Sequence, residues 1–319
     1  MYKTSLNKHD TDSPKKETDM ELRQLKYFVK AAETLNFSEA AKALFITQST
    51  LSQQIRQLEQ EMNAQLFTRN SHNVSLTEAG EELLPYARNT LHSADACIDR
   101  IHDLQHLLTG TLDIGVTFTF SPILTETLIT FMKQYPQVKL NICYGPMTDL
   151  MERLGHRELD FVLAFKPTKH YDEIESHVLF GNHLAAVVQD NHPLAGHDIA
   201  TIEDLTHYDI ALPSKGLQAR NAFDRISSAF QGRLNVRIEL NEVNILLKLI
   251  RQSQMVTILS EATIHNEQGV KAVSIDMPGN GMEGCVHVLK NVYRKRSAQE
   301  FLRMLSESNA IRERLRDWL

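Results

Sequence analysis

Between Leu84 and Leu108 apolar residues recur in a strict three-then-four alternation: Leu84, Ala87, Leu91, Ala94, Ile98, Ile101 and Leu108, with Gln105 the one polar member. That pattern is the a/d seam of a coiled coil. Thr77 is placed to cap the helix, and Glu78, Glu81 and Glu82 fall in its first turn, where the helix dipole favours negative charge. A helix from Thr77 to Leu108 is about 45 Å long. A rod of that length cannot hide its stripe in a small domain of its own, so the stripe demands a partner helix. Pairing of two copies of the chain is the simplest supply. Pro85 is near enough to the start to be tolerated as a bend, and Gln105 weakens the far end. His102 and His106 have a spacing that suits zinc, but two ligands without a third read as a solvated pair.

Before the rod the pattern is three short helices. Leu22, Leu25, Phe28 and Ala32 form one stripe, and Asn36-Phe37-Ser38 interrupts it. Ser38 is expected to cap a second helix, Glu39 to Leu44, whose Ala40, Ala41 and Ala43 let a neighbour approach closely. Thr47 caps a third, about Gln48 to Met62, that buries Leu51, Ile55, Leu58 and Met62. Its opposite face carries Gln48, Ser49, Thr50, Ser52, Gln53, Arg56 and Gln57. Short hydroxyls, amides and a guanidinium suit base edges and phosphates better than they suit a merely solvated face. Leu66-Phe67-Thr68-Arg69 and Val74-Ser75-Leu76 flank a turn-rich stretch and read as a wing, with Arg69 placed to meet a phosphate. A three-helix bundle without a ligand is the alternative; the polar third face and the wing favour double-stranded DNA.

Residues 37–80, FSEAAKALFITQSTLSQQIRQLEQEMNAQLFTRNSHNVSLTEAG, resemble the signature of the LysR family. The matching elements are the Ala-Ala pair, Gln-Ser at the start of the third helix, the Leu-Ser-x-Gln-Ile run, the Leu-Glu pair, Leu-Phe-x-Arg at the wing and the closing Leu-Thr-x-Ala-Gly. The resemblance implies that the third helix enters the major groove and that Gln48, Ser49, Ser52 and Arg69 are contact positions. It departs at Gln53, where many members carry Arg.

After Gly110 strands and helices alternate. Strands are expected at Leu112–Phe118, Val138–Tyr144, Leu159–Phe165, His183–Val188, Tyr208–Leu212, Leu234–Leu240, Met255–Leu259 and Val286–Tyr293. Helices are expected at Ile123–Gln134, Thr148–Arg157, Ala219–Phe230, Val243–Gln252 and Ala298–Trp318. Repeated β–α–β units predict a mainly parallel sheet in two α/β lobes. Ligands of such sheets bind beyond the carboxyl ends of strands. The loop Thr117-Phe118-Thr119-Phe120-Ser121-Pro122 sits at such an end; its hydroxyls either cap the next helix or cradle a small anion or carboxylate. The loop Pro213-Ser214-Lys215-Gly216-Leu217-Gln218 is expected to close over the same cleft. Across this half the resemblance, looser than before, implies a periplasmic-binding-protein-like sensor whose chain crosses between lobes near Phe180 and again near Gly281 to Val286. It carries over Thr117 and Thr119 as effector positions, then Ser121, Phe165, Ser214 and Gln218. The Thr-Phe-Thr loop and the Leu-Ile-Arg-Gln-Ser segment look somewhat like the cyanate-responsive branch.

The expected fold is therefore α/β: an N-terminal winged helix-turn-helix, a long linker helix and a two-lobed effector domain. The divisions are a disordered lead at 1–19, a DNA-binding domain at 20–77, a dimerising helix at 78–109 and an effector domain at 110–319. Its lobe one takes about 110–180 and 286–319, and lobe two about 181–285. Such a regulator binds promoter operators, assembles as a homodimer or a dimer of dimers, and meets RNA polymerase if it activates. A chain of 319 residues, 42% hydrophobic and 23% charged, fits several globular domains. No apolar run approaches the ~18 residues of a membrane span, and the polar N-terminus is not a secretory signal. Cys97, Cys143 and Cys285 are too dispersed for a metal knuckle or a disulfide framework, fit a reducing cytoplasm, and read as buried, inert thiols rather than a redox pair. No nucleophile elbow, phosphate loop or dinucleotide fingerprint supports an enzyme, and no cofactor or metal is expected. A net charge of −6 argues against non-specific coating of nucleic acid but leaves a local DNA-binding surface open.

Overall fold

The computed structural model describes residues 20–69, 74–104, 108–228, 232–264, 267–309 and 311, which fall into two compact units, Met1–Leu91 and His92–Leu319. The first holds helices α1 (Leu22–Thr34), α2 (Phe37–Ala43) and α3 (Gln48–Glu61), then a hairpin of β1 (Phe67–Arg69) and β2 (Val74–Leu76). The lead at 1–19 and the wing tip at 70–73 lie outside the described residues. α2 starts two residues earlier than its sequence suggests, because Asn36 rather than Ser38 caps it: Asn36 Oδ1 accepts from Ser38 N at 2.9 Å and Glu39 N at 3.1 Å. Thr47 caps α3 as expected, through Thr50 N at 3.2 Å. Leu25, Phe28, Ala40, Ala41, Leu51, Ile55 and Leu58 close the core, with Phe67 set edge-on to Phe28. Thr77 caps the long helix α4 (Glu78–Leu104) through Gly80 N. A Cβ at Gly80 would collide with the Leu66 carbonyl, so the close approach of α4 to the hairpin requires glycine there.

The heptad stripe splits into two fates. Leu84, Ala87 and Leu91 pack into the core of the first unit, contrary to the expectation that the whole seam seeks a partner. Ile98 and Ile101 of the stripe remain 56% and 55% exposed, and Leu104 beside it 72%, so the demand for a partner concentrates there. The helix runs without interruption through Pro85, while Gln105, His106 and the His102 side chain lie outside the described residues.

In the second unit one strand, β6 (Ile174–Gln189), serves two lobes. Lobe one orders its sheet β4 (Val138–Tyr144), β3 (Gly110–Val116), β5 (Phe161–Phe165), β12 (Gly281–Leu289) and the first half of β6. Strand β5 is buried on both faces, and its alternation divides two cores. Phe161, Leu163 and Phe165 meet α5 (Ser121–Gln134) and α10 (Arg296–Glu307), whereas Val162 and Ala164 meet α6 (Met147–Gly155). Lobe two pairs the second half of β6 with β10 (Thr257–Ser260) and β11 (Val270–Ile275), and β11 with the short β7 (Ile199–Ala200), which leads into α7 (Ile202–Leu205). Strands β8 (Asp209–Pro213) and β9 (Asn235–Leu240) run parallel beside them, covered by α8 (Gln218–Ile226) and α9 (Val243–Arg251).

The sheets are mixed rather than mainly parallel, because β6 and β12 cross between the lobes as an antiparallel pair. Sequence reading missed the first half of β6, β7, α7 and β11. In β6 the run Glu175-Ser176-His177 breaks the apolar pattern, and in β11 exposed Lys271 and Ser274 do the same. Phe118 leaves the strand for a single 3-10 turn, and α10 ends at Glu307, where Ser308 turns extended; Phe230 and Trp318 lie outside the described residues. Cys285 is buried, and desolvation pushes its thiol up to about 11. Cys97, by contrast, is exposed and so is not the buried thiol expected. Where the crossing strands meet, Gly284 faces Phe180, and a Cβ there would lie 2.5 Å from the ring. Gly284→Val should lower the melting temperature by an amount equivalent to about 1–3 kcal/mol of overpacking, read by calorimetry, whereas Gly155→Ala, with open space around it, should not.

Candidate DNA interface and effector cavity

Gln48, Ser49, Ser52, Gln53, Arg56, Gln57 and Gln60 line one continuous open surface along α3. No carboxylate interrupts it, and Arg56 is its cation. Its first turn is pre-ordered: Thr47 Oγ1 lies 2.9 Å from Ser49 Oγ, and Gln48 Nε2 donates to Ser52 Oγ at 3.0 Å. Thr50, grouped with this face from sequence, is exposed beside this lining, with its hydroxyl 2.8 Å from Thr47 Oγ1. Gln60 is the member sequence reading passed over, although it continues the i, i+4 spacing from Arg56.

Arg69 is also less free than its sequence position suggests. Its Nη2 lies 3.3 Å from the buried carboxylate of Glu59, and its guanidinium sits 4.6 Å above the Phe37 ring. Glu59 also accepts from the main-chain N–H groups of Leu66 at 2.9 Å and Phe67 at 3.3 Å. One buried carboxylate thus ties α3 to the strand that opens the wing, and the Leu-Glu pair in the sequence marks a wing anchor.

The second unit has a small, partly open cavity of about 30 Å³ between its lobes. Thr117, Phe118 and Thr119 line it from the carboxyl end of β3, and Gly145, Pro146 and Met147 from that of β4. Lobe two contributes Pro213, Leu217, Gln218, Ala219, Val243, Leu259 and Thr263. No lining side chain is charged. The first turns of α6 and α8 open onto it with no side-chain cap, and neither has the turn after Thr117. Free N–H groups at helix starts give such a space a positive lining without a cation. Thr263, 5% exposed, lines it with a hydroxyl that has no hydrogen-bond partner among the described residues. Thr263 sits in a 3-10 turn after β10 where nothing in the sequence pattern marks it.

Of the six positions expected at this site, Thr117, Thr119 and Gln218 line the cavity. Phe165 does not: its ring packs among Phe120 and Phe180 in the core. Ser121 and Ser214 are also outside the lining, Ser214 being held through its N–H by Leu240 O at 2.7 Å. Gln218 is more clasp than contact. Its Nε2 donates to Phe165 O at 2.9 Å and its Oε1 accepts from Phe165 N at 3.1 Å, joining the start of α8 in lobe two to the end of β5 in lobe one. The loop before it is braced by buried Arg220, which donates to Pro213 O at 3.0 Å and pairs with Asp224 and Glu239. Beneath the clasp, His287 lies fully buried on β12 with Nδ1 2.8 Å from Ser176 Oγ and Nε2 3.2 Å from Ala164 O. Burial drops its pKa to about 4, so the ring stays neutral.

Known proteins fit both halves. Residues 22–81 match the bacterial regulatory helix-turn-helix protein, lysR family, and residues 105–310 match the LysR substrate binding domain. The sequence is 32% identical over 246 residues to the transcriptional dual regulator GltC of Bacillus subtilis (strain 168), a span that covers 76% of this chain and 82% of that protein. Among solved structures, a full-length OxyR variant from Pseudomonas aeruginosa superposes with a TM-score of 0.68 at 20% identity, covering 92% of this chain and 95% of that one. Full-length CbnR complexed with its target DNA gives 0.65 at 20% identity, covering 92% and 99%. At those identities the structural likeness is one of fold.

Glu59→Ala should strip an acceptor from two buried N–H groups and a partner from Arg69. The expected loss is about 3 kcal/mol in chemical denaturation, with Glu59→Gln recovering part of it; a variant as stable as the parent would refute the anchor.

Proposed function

Because the chain belongs to the LysR family, and is thus a DNA-binding transcription regulator with an effector-binding domain and not an enzyme, we propose that α3 reads an operator in the major groove and that a small carboxylate-bearing effector occupies the interlobe cavity. The observation that carries the first half is the unbroken amide-and-hydroxyl surface of α3. Gln48, Ser49, Ser52 and Gln53 reach base edges, where Gln pairs bidentately with adenine and Ser accepts or donates. Arg56 meets guanine or phosphate. Thr50 and Arg69 serve mainly as braces, one for the start of α3 and one for the wing. CbnR, whose structure includes its target DNA, supports the reading through a shared fold.

The cavity's chemistry supports the second half. A carboxylate accepts several N–H and O–H donors at once, which uncapped helix starts and the hydroxyls of Thr119 and Thr263 offer. With no cationic side chain in the lining, affinity depends on geometry, and a dianion gains nothing beyond the first charge. The ligand acts by differential affinity for two lobe arrangements. The Gln218–Phe165 pair, made between main chain and side chain across the lobes, is the contact that a rearrangement must remake. Pairing of copies through Ile98, Ile101 and Leu104 carries that change to the heads, in a homodimer or a dimer of dimers working in the cytoplasm. If the regulator activates, RNA polymerase is its further partner.

Two measurements test the proposal. On a duplex enriched by the parent protein from a random library, Gln48→Ala combined with Ser52→Ala should lower the preference over random duplex about tenfold or more. Arg56→Ala should instead reduce the slope of log affinity against log salt by about 1. Preference unchanged in both variants would remove α3 from the groove. In a thermal-shift screen of small carboxylates, a compound that stabilises the parent should lose its effect in Thr119→Val and Thr263→Val, which keep shape and delete hydroxyls. Undiminished stabilisation in both would empty the proposed cavity of its role.

A further inference from the structure

Phe45 is 95% exposed and occupies the left-handed region, φ +56°. It ends α2 in a Schellman arrangement: Phe45 N donates to Lys42 O at 3.1 Å, and Ile46 N donates to Ala41 O at 3.0 Å. The position after such a cap suits glycine or asparagine, because a Cβ crowds its own backbone there. The other non-glycine residues at positive φ among those described are Leu35, Asn63, Arg157 and Asn291, so Phe45 is the one aromatic. Its ring adds nothing to the fold, since Ile46 supplies the apolar contact to the head core at this turn. The chain therefore keeps a large apolar ring in water on a strained backbone, where the cheapest residue for folding is glycine.

Phe45 stands three residues before Gln48, within about 11 Å of it along even a fully extended chain, and so lies close to the open end of the α3 surface. We infer that the Phe45 ring is a DNA contact, packing on the apolar surface of the operator beside the first turn of α3: a thymine methyl or a deoxyribose face. The inference rests on the reading of α3 as the groove helix. Protein–DNA interfaces use such rings against thymine methyls, and an apolar contact of this kind displaces no counterion. It adds affinity without adding salt dependence, which separates it from a phosphate contact. The strain is tolerated because the ring is used when DNA is bound.

The test compares Phe45→Gly, Phe45→Tyr and the Gln48→Ala, Ser52→Ala double variant of the full chain. Each is measured on the duplex enriched by the parent protein, alongside thermal melting of each free protein. Phe45→Gly should melt no lower than the parent yet bind the duplex about tenfold more weakly, with an unchanged salt slope; Phe45→Tyr, which keeps the ring, should bind nearly as the parent does. A probe with uracil for thymine assigns the contact: it should weaken the parent but not Phe45→Gly if the ring meets a methyl, and leave both unaffected if the ring meets a sugar. If Phe45→Gly binds as tightly as the parent while the double variant is weakened, the inference fails and the α3 reading stands. If neither is weakened, both fail. If Phe45→Gly binds normally but no longer regulates a reporter, the ring meets a protein, and the DNA contact is overturned.

Discussion

The pairing of β6 with β12 is the constraint on which the sensor half depends. The two run side by side in opposite directions along the crossing, and β6 pairs with β12 in lobe one and with β10 and β11 in lobe two, so neither lobe completes its sheet without β6. Phe180 on β6 lies over Gly284 on β12, and the register slips by one residue between Gly284 and Cys285. A bulge at that place lets two strands twist together without losing their ladder. The lobes can change their mutual angle only by bending this pair, which concentrates any rearrangement at a few residues.

A second constraint is the satisfaction of main-chain groups withdrawn from water. Glu59 takes the N–H groups of Leu66 and Phe67 that no helix or hairpin satisfies. Gln218 takes both main-chain groups of Phe165 at the carboxyl end of β5. Neutral His287 bridges Ser176 to Ala164 O, holding three strands of lobe one together. In each case a polar side chain substitutes for missing secondary structure. At the interlobe cavity, by contrast, uncapped helix starts and the unpartnered Thr263 hydroxyl converge on one space. That convergence of donors is what supports the proposal of a ligand there.

Much of this was legible without coordinates. The stripe of Leu51, Ile55 and Leu58 set which side of α3 faces inward, and so left Gln48, Ser52, Gln53 and Arg56 outward. Strand β4 and helices α5 and α9 emerge within two residues of their patterns. What local pattern left out was the structural work of polar residues. Arg69 pairs with Glu59, ten positions away, and Gln218, which lines the cavity, also bonds both main-chain groups of Phe165, whose ring packs in the core.

Periodicity and residue type determined by themselves the helix-turn-helix, the long helix with its apolar stripe, and the alternation that makes two α/β lobes, because each depends on neighbours close along the chain. Only the tertiary structure decided that Leu84, Ala87 and Leu91 are consumed by the head while Ile98, Ile101 and Leu104 stay exposed. It alone decided that β6 belongs to both lobes and that Thr263 joins Thr117 at one cavity. Those facts turn on which distant residues meet, and local sequence carries no record of that choice.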